Sequence, residues 1–223
     1  MRQKLFLQAI IKYLSGVAAV GLLIFLPAGS LAYSNGWLLM GILFIPMFFA
    51  GIVMLFKNPE LLKKRLNAKE KLKEQNTVLK LSGLMFIAGF IVAGLGFRFH
   101  WYQLPKGIVA VSSVIFLTAY LLYAEVLREN TYLSRTIEVQ ENQKVIDIGL
   151  YGIVRHPMYA ATVLLFLSIP LVLGSLYSFS VFLLYPFIIV KRIKGEELFL
   201  EKELNGYIEY KQKVKYRLIP FIW

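Results

Sequence analysis

The residues that could do chemistry in this chain are few, and they collect at three places in its C-terminal half. At the first place, Arg155 and His156 stand directly before Pro157, where a long apolar run begins. Proline suits the first turn of a helix, and the N–H groups of such a turn, beside an arginine, can bind a carboxylate. The same residues are also typical of a basic membrane edge followed by a helix cap. This stretch alone leaves both interpretations open.

The second place holds two adjacent carboxylates, Glu196 and Glu197. Residues 158–190, which precede them, carry no charge and are too long for one ordinary membrane helix. We expect this run to fold back at Pro170 and the Gly174–Ser175 step. The fold-back would bring the two carboxylates to the Arg-His pair at the mouth of a helical bundle. Convergent polar groups in such a position are typical of binding sites.

The third place is the C-terminal stretch 198–223, whose apolar residues recur at helical spacing. This pattern predicts an amphipathic cap, broken near Asn205–Gly206 and flanked there by Tyr207 and Tyr210. The two tyrosines suit either packing or contact with a ligand. The chain has no Cys and only two His, so we predict no metal site.

Composition predicts where these residues are held. Of the 223 residues, 58% are hydrophobic and 17% charged, and the mean hydropathy is +0.63, values typical of an integral membrane protein. The net charge is +12, but the basic residues lie between apolar segments, which indicates membrane topology and no nucleic-acid partner. The basic first residues and the long apolar run after them predict a retained membrane span, because no convincing cleavage site follows.

The elements follow from the apolar runs. Four spans are predicted at about 10–31, 37–56, 79–97 and 108–127, and the fold-back adds a C-terminal helical hairpin. The fold class is therefore an all-α polytopic membrane protein with about six hydrophobic helices and a cytoplasmic C-terminal helix. The lysine-rich loop 57–80 predicts that the membrane face carrying it is cytoplasmic. Both termini are predicted to lie on the same face.

Two further segments connect these elements. Asn58–Pro59 indicates a helix start, and residues 60–74 after it suit either a helix flat on an anionic leaflet or a solvated connector. Residues 135–148 alternate apolar and polar around a turn, which predicts a small β-hairpin or extended pair at the membrane surface. We divide the chain into N-terminal spans, 1–128, and a C-terminal catalytic region, 129–223, within one integrated domain.

The polar residues of the C-terminal region form three blocks of defined order and spacing. The first comprises Gly149, Tyr151, Val154, Arg155, His156, Pro157 and Tyr159, the second Arg192, Glu196 and Glu197, and the third Gly206, Tyr207, Tyr210, Val214, Arg217 and Pro220. As a set they resemble the isoprenylcysteine carboxyl methyltransferase family, over the chain from about residue 128 to its end. Phospholipid N-methyltransferases share this pattern, and membrane sterol reductases resemble it more distantly.

The resemblance implies an S-adenosylmethionine-dependent methyltransferase, with the methyl donor bound between the helical hairpin and the C-terminal cap. It implies donor-binding roles for eight residues, namely Tyr151, Val154, His156, Pro157, Tyr159, Glu196, Tyr207 and Tyr210. A sulfonium cation can rest against tyrosine faces. The donor's carboxylate suits the helix start at Pro157, and its amino group or ribose suits Glu196.

The resemblance also implies a lipidic or prenylated acceptor that enters sideways from the membrane, and catalytic roles for Arg155, Glu197 and Arg217. An acceptor carboxylate, as in a prenylated cysteine, is already ionised, so either arginine would only orient it. An amine must lose a proton, which makes Glu197 a candidate base. Three alternatives remain: a phospholipid N-methyltransferase, a sterol-reductase-like NADPH oxidoreductase and a non-catalytic membrane adaptor.

Overall fold

The computed structural model describes residues 2–66, 73–134 and 136–223. Within these ranges the chain is helical apart from its connections. The helices are α1 (Arg2–Ala28), α2 (Ser34–Lys57), α3 (Pro59–Leu66), α4 (Lys73–Arg98), α5 (Lys106–Glu129), α6 (Pro157–Val172), α7 (Leu176–Phe182), α8 (Tyr185–Glu203) and α9 (Tyr207–Lys213), and a 3-10 turn spans Gly149–Gly152.

Among the described residues, five stretches are long and apolar enough to cross a membrane: α1, α2, α4 from Gln75 onward, α5, and α7 together with α8. The shorter apolar helix α6 makes a sixth hydrophobic element. Many large apolar side chains are exposed along these helices, among them Leu22, Leu26, Phe49, Leu84, Val114 and Leu121, as lipid-facing surfaces require. The prediction of a multi-pass, all-α membrane protein with about six hydrophobic helices is confirmed.

The membrane part packs around an aromatic centre. Helix α5 lies along α6, α1 lies along α4, and α4 also contacts α7. Where these layers meet, the Phe86 ring contacts Phe166 and Phe182 edge-on, with ring centroids 4.7 Å and 5.4 Å apart. Edge-to-face pairs of this kind add to the gain from burial.

The expected fold-back after α6 is present, and it lies at Gly174. This residue has φ +72°, a conformation that glycine adopts without strain. Its carbonyl accepts a hydrogen bond from the Leu104 N–H at 2.9 Å, and the Tyr33 hydroxyl donates to the neighbouring Leu173 carbonyl at 2.5 Å. Pro170 lies inside α6. The bend is therefore pinned to the α1–α2 and α4–α5 turns on the same membrane face.

The opposite membrane face carries α3, α9 and the end of α8 that is predicted to be cytoplasmic. A long segment joins α5 to α6 on this face; we call residues 130–148 the connector. On α3, the Lys64 ammonium donates to the Gln140 side chain of the connector at 2.5 Å, and Arg65 donates to the Ser134 carbonyl at 3.4 Å. The α1 residue Lys12 also donates to the Leu66 carbonyl at 2.5 Å. An even number of spans therefore separates the N-terminus from the loop that contains α3.

The predicted β-hairpin in 135–148 is wrong for the described residues 136–148, which form no strand. The turn itself is present, since the Gln143 N–H donates to the Gln140 carbonyl at 3.1 Å. The arms do not pair, because the connector bonds and packs elsewhere: the Gln140 amide donates to the Tyr132 carbonyl at 2.6 Å, and Val139 and Val145 pack against the C-terminal cap. Arg135 lies outside the described residues.

The helix start predicted at Asn58–Pro59 is present as the start of α3. Asn58 caps α3, because its side chain accepts the Leu61 N–H at 3.1 Å, as Asn at a helix start should. Leu61 and Leu62 are buried, so the apolar face of α3 packs on the protein. Residues 67–72 lie outside the described part, and contact of 60–74 with the leaflet stays a prediction.

Candidate active site

The carboxylate of Glu197, on α8, joins two arginines and a histidine. Its Oε1 accepts from the Arg155 Nε at 2.8 Å and lies 3.2 Å from the His156 Nε2. Its Oε2 accepts from the Arg217 Nε at 2.8 Å. Glu197, Arg155 and His156 are all buried. The fold-back thus brings the Arg-His pair to the second carboxylate, as predicted, and adds Arg217 from the C-terminal cap.

Hydrogen bonds to the backbone also hold this cluster in place. The N–H groups of Arg155 and His156 donate to the carbonyls of Tyr216 and Arg217, both at 2.9 Å. The Arg155 Nη1 donates to two further carbonyls, those of Val214 at 2.7 Å and Lys215 at 2.9 Å. The stretch before α6 and the C-terminal segment therefore lie side by side, and Arg155 ties both to α8.

A second polar network lies beside the first and uses the other carboxylate. The Tyr159 hydroxyl, one turn into α6, donates to the Glu196 Oε2 at 2.5 Å. The Arg192 Nε donates to the same hydroxyl at 2.8 Å, and its Nη1 donates to the Gln75 side chain of α4 at 3.4 Å. Three helices, α4, α6 and α8, are thus joined by polar contacts directly beneath the site.

The helix start at Pro157 is less open than the sequence suggested. Both the Tyr159 and the Ala160 N–H donate to the His156 carbonyl, at 3.0 Å and 3.1 Å. Proline has no N–H, so Met158 supplies the remaining N–H of this first turn. A carboxylate bound here would therefore depend more on side chains than on the backbone.

Three predicted tyrosines lie together on the cap side. The Tyr210 hydroxyl donates to the Tyr151 carbonyl at 2.8 Å, and the Tyr151 hydroxyl accepts from the Asn130 side chain at 3.1 Å. The Tyr207 ring lies 5.8 Å from that of Tyr210. Burial raises the pKa of all three hydroxyls above the usual range, so each remains a neutral phenol at physiological pH.

These networks border a cleft whose opposite wall is the connector. The space inside the cleft, counted together with its open mouth, amounts to about 830 Å³. Seven predicted site residues line it, namely Tyr151, Arg155, His156, Tyr159, Glu196, Tyr207 and Tyr210. The other four, Val154, Pro157, Glu197 and Arg217, are not among the lining residues; they lie behind the wall, where Glu197 and Arg217 hold the ion-pair cluster.

The sequence did not assign the opposite wall of the cleft. The connector supplies it, with Asn130, Ser134, Glu138 and Lys144 among its lining residues. Arg192 also lines the cleft, although it was noted only as part of a block. The signal available for the connector was its position directly before the Arg-His stretch. Its alternating apolar and polar pattern instead predicted strands, and so it gave no indication of a cleft wall.

The lining residues fit a methyl donor in their chemistry. The cleft offers tyrosine rings for a sulfonium, carboxylates for an amino group or ribose, and arginines for a carboxylate. It also has an apolar side, formed by Ile137, Val145, Leu200 and Leu204, that suits a flat heterocycle. Within the described residues, the Tyr207 hydroxyl is a buried side-chain oxygen without a hydrogen-bond partner. This is expected of a group that forms its hydrogen bond with a ligand.

Comparison with known proteins agrees with this arrangement. Residues 104–205, from the end of the α4–α5 turn to the end of α8, match the family described as phospholipid methyltransferase. The chain is also similar to Delta(14)-sterol reductase TM7SF2 of Mus musculus, with 30% identity over 91 residues, which is 40% of this chain and 22% of that protein. The chain thus matches less than a quarter of that relative. The match over residues 104–205 thus supports the resemblance of this sequence to the isoprenylcysteine carboxyl methyltransferase-like membrane methyltransferases.

Proposed function

We propose that this chain is a membrane methyltransferase that transfers a methyl group from S-adenosylmethionine to the carboxylate of a prenylated cysteine or a related prenyl or lipid acceptor. The family domain supports methyl transfer in a membrane protein. The observation that carries the proposal is the cleft itself, which combines tyrosines, Arg155, His156 and Glu196 beside membrane helices. The chemistry suits a cationic donor with a carboxylate tail.

The bound donor would supply an electrophilic methyl group on its sulfonium. The chain's own residues would hold and orient it: Tyr151, Tyr159, Tyr207 and Tyr210 would hold the cation, and Glu196 would accept from the amino group or ribose. Methyl transfer is an in-line displacement, so alignment and exclusion of water provide most of the acceleration. The connector is the wall that would exclude water, because it covers the cleft opposite the helices.

The state of Glu197 supports a carboxylate acceptor. Both of its oxygens are engaged by Arg155, His156 and Arg217, so accepting a proton would disrupt a buried ion-pair cluster. A carboxylate acceptor needs no base, whereas an amine does. In this proposal Glu197 orients Arg155, and Arg155 orients the acceptor. Arg217 lies behind the wall and acts through Glu197.

Two other functions are each supported by one observation. The family description favours a phospholipid amine as the acceptor, in which case Glu196 or Glu197 must take up a proton. The similarity to a mouse sterol reductase over 91 residues favours a nicotinamide cofactor in the same cleft. A membrane adaptor without catalysis would bind neither cofactor.

An acceptor panel tests the proposal directly. The purified protein in detergent or nanodiscs is incubated with methyl-labelled S-adenosylmethionine and, in separate reactions, a prenylated cysteine, phosphatidylethanolamine and a soluble thiol or carboxylic acid. We expect label in the prenylated carboxylate as a base-labile ester. Label in the phospholipid amine would replace this proposal by the second function, and label in soluble acceptors alone would contradict a lipidic substrate.

A further inference from the structure

Gln75, near the start of α4, is a buried amide that lies outside the matched residues 104–205. The residue is only 3% exposed, whereas glutamine side chains mostly face solvent. Burial of an amide costs free energy unless its polar atoms find partners. The two ends of this amide contact α8 at different residues, and both contacts bear on the cleft.

The nitrogen end of the amide lies against Gly195, in the interior of α8. A Cβ added at position 195 would lie 2.4 Å from the Gln75 Nε2, which is closer than real Cβ atoms approach a neighbour. Apart from α8 itself, Gln75 supplies every atom of the described residues within 4 Å of that Cβ. Glycine in a helix interior lowers helix stability relative to alanine. At position 195 it makes room for the Gln75 side chain.

The oxygen end of the amide begins a series of hydrogen bonds that ends in the cleft. The Gln75 Oε1 accepts from the Arg192 Nη1 at 3.4 Å, and the Arg192 Nε donates to the Tyr159 hydroxyl at 2.8 Å. That hydroxyl donates to the Glu196 Oε2 at 2.5 Å. In the part of the chain that the structure describes, no hydrogen bond or ion pair engages the other oxygen of Glu196. The series therefore fixes one oxygen of this cleft-lining carboxylate and leaves the second for a ligand.

We propose that Gln75 is a positioning residue of this site: held against Gly195, it orients the Glu196 carboxylate through Arg192 and Tyr159. Long side chains lose much conformational freedom when they are held in one rotamer, so a fixed partner at the far end of Arg192 narrows the positions that Glu196 can take. The inference rests on the proposed function for the identity of the ligand, the methyl donor. It extends the site beyond the matched residues into the N-terminal spans.

Thermal unfolding without ligand tests the contact between Gln75 and Gly195. Gly195→Ala is made in the wild-type chain and in Gln75→Ala, as a double-mutant cycle. In the Gln75→Ala background we expect it to raise the melting temperature by about 2 to 4 °C, because alanine favours the helix and the added methyl group meets no amide. In the wild type the methyl group displaces the Gln75 amide, so we expect no gain. Gly83→Ala, where a Cβ meets no atom within 4 Å, is the control and should act equally in both backgrounds.

Calorimetry with S-adenosylmethionine and with S-adenosylhomocysteine tests the positioning role. We expect Gln75→Ala to bind both nucleosides roughly 3- to 10-fold more weakly, which corresponds to the loss of about one hydrogen bond. We expect Gly195→Ala to lose affinity to a similar degree without losing stability, a separation that a contact serving only the fold would not produce. Because Gln75 acts through Tyr159, adding Gln75→Ala to Tyr159→Phe should weaken binding no further.

The results that would overturn this inference differ from the one that would overturn the proposed function. Affinities of Gln75→Ala and Gly195→Ala within about 2-fold of the wild type would overturn the inference alone, and if Gln75→Ala does not fold, the affinity of Gly195→Ala decides. An equal gain of stability from Gly195→Ala in both backgrounds would also overturn it, as would additive losses of affinity from Gln75→Ala and Tyr159→Phe. Failure of the wild-type protein to bind either nucleoside would overturn the proposed function together with the role of Gln75.

Discussion

Two arginines and a histidine converge on the buried carboxylate of Glu197, and these contacts limit the roles that Glu197 can have. A carboxylate between Arg155, His156 and Arg217 is held in its charged form by its partners and offers no free oxygen to a substrate proton. Breaking a buried ion pair by removing one partner is strongly destabilising. The structure therefore favours an organising role for Glu197, while Glu196, one residue earlier, lines the cleft.

This difference predicts the behaviour of a Glu197→Gln variant. Loss of the charge leaves the cations of Arg155 and Arg217 without their shared anion, so we expect the free energy of unfolding to fall by about 3–5 kcal/mol. Thermal unfolding in detergent measures the change. Glu203→Gln, at the exposed end of α8, is the matched control and should change stability by less than about 0.5 kcal/mol. A Glu197→Gln protein that stays fully stable yet loses all methyl transfer would instead indicate a general base.

At the scale of elements, the site depends on how non-helical segments are held against helices. The described residues of the connector form no regular secondary structure, and side chains of α3 and α9 hold them in place: Lys64 donates to Gln140, and the Lys213 ammonium donates to the Asp147 carboxylate at 2.6 Å. The site stretch before α6 is anchored in turn by Glu129, at the end of α5, whose carboxylate accepts the Leu150 N–H at 2.9 Å and 3.1 Å.

The Glu129 anchor requires glycine at position 149. Gly149 has φ +59°, and a Cβ there would lie 1.8 Å from the Glu129 Oε1. We expect Gly149→Ala to strain the backbone and displace the anchor, at a cost of about 1–3 kcal/mol, and to weaken binding of the methyl donor because the turn precedes Arg155. Gly107→Ala is the control, since a Cβ at Gly107 meets no atom within 4 Å. Equal melting temperatures for the two variants would refute this account of the turn.

How far the sequence predicts each element depends on whether its signal is local. The membrane helices and the bend at Gly174 follow from apolar runs and a turn residue, and both were predicted. The C-terminal cap and the meeting of Arg155 with Glu197 follow from the fold-back. The hairpin prediction failed in the connector because its partners lie on α3, some 70 residues earlier in the chain, and no local pattern reports such contacts.

The two membrane faces of the molecule carry different segments. One face holds only turns, pinned by Tyr33, Leu104 and Gly174. The other holds α3, the connector, the end of α8 and the cap, and it therefore holds the cleft. Because the basic residues of the α2–α4 loop lie on the cleft face, the positive-inside rule predicts that the cleft opens to the cytoplasm.

The chain contains no cysteine, so single introduced cysteines report this orientation cleanly. We expect a membrane-impermeant maleimide to label Tyr102→Cys in intact cells, and to label Lys4→Cys and Gln212→Cys only after permeabilisation. All three positions are exposed. Labelling of Lys4→Cys and Gln212→Cys with protection of Tyr102→Cys would invert the orientation. Opposite behaviour of Lys4→Cys and Gln212→Cys would contradict the fold.

The central claim is that the cleft between α6, α8, α9 and the connector binds a methyl donor. Calorimetry of the detergent-purified wild-type protein against S-adenosylmethionine and, separately, NADPH tests it most directly, with Glu196→Gln and His156→Ala as variants. We predict binding of the methyl donor with a Kd on the order of micromolar, lost or strongly weakened in both variants, and no binding of NADPH. Binding of NADPH without binding of the methyl donor, or donor binding that both variants retain unchanged, would contradict the account.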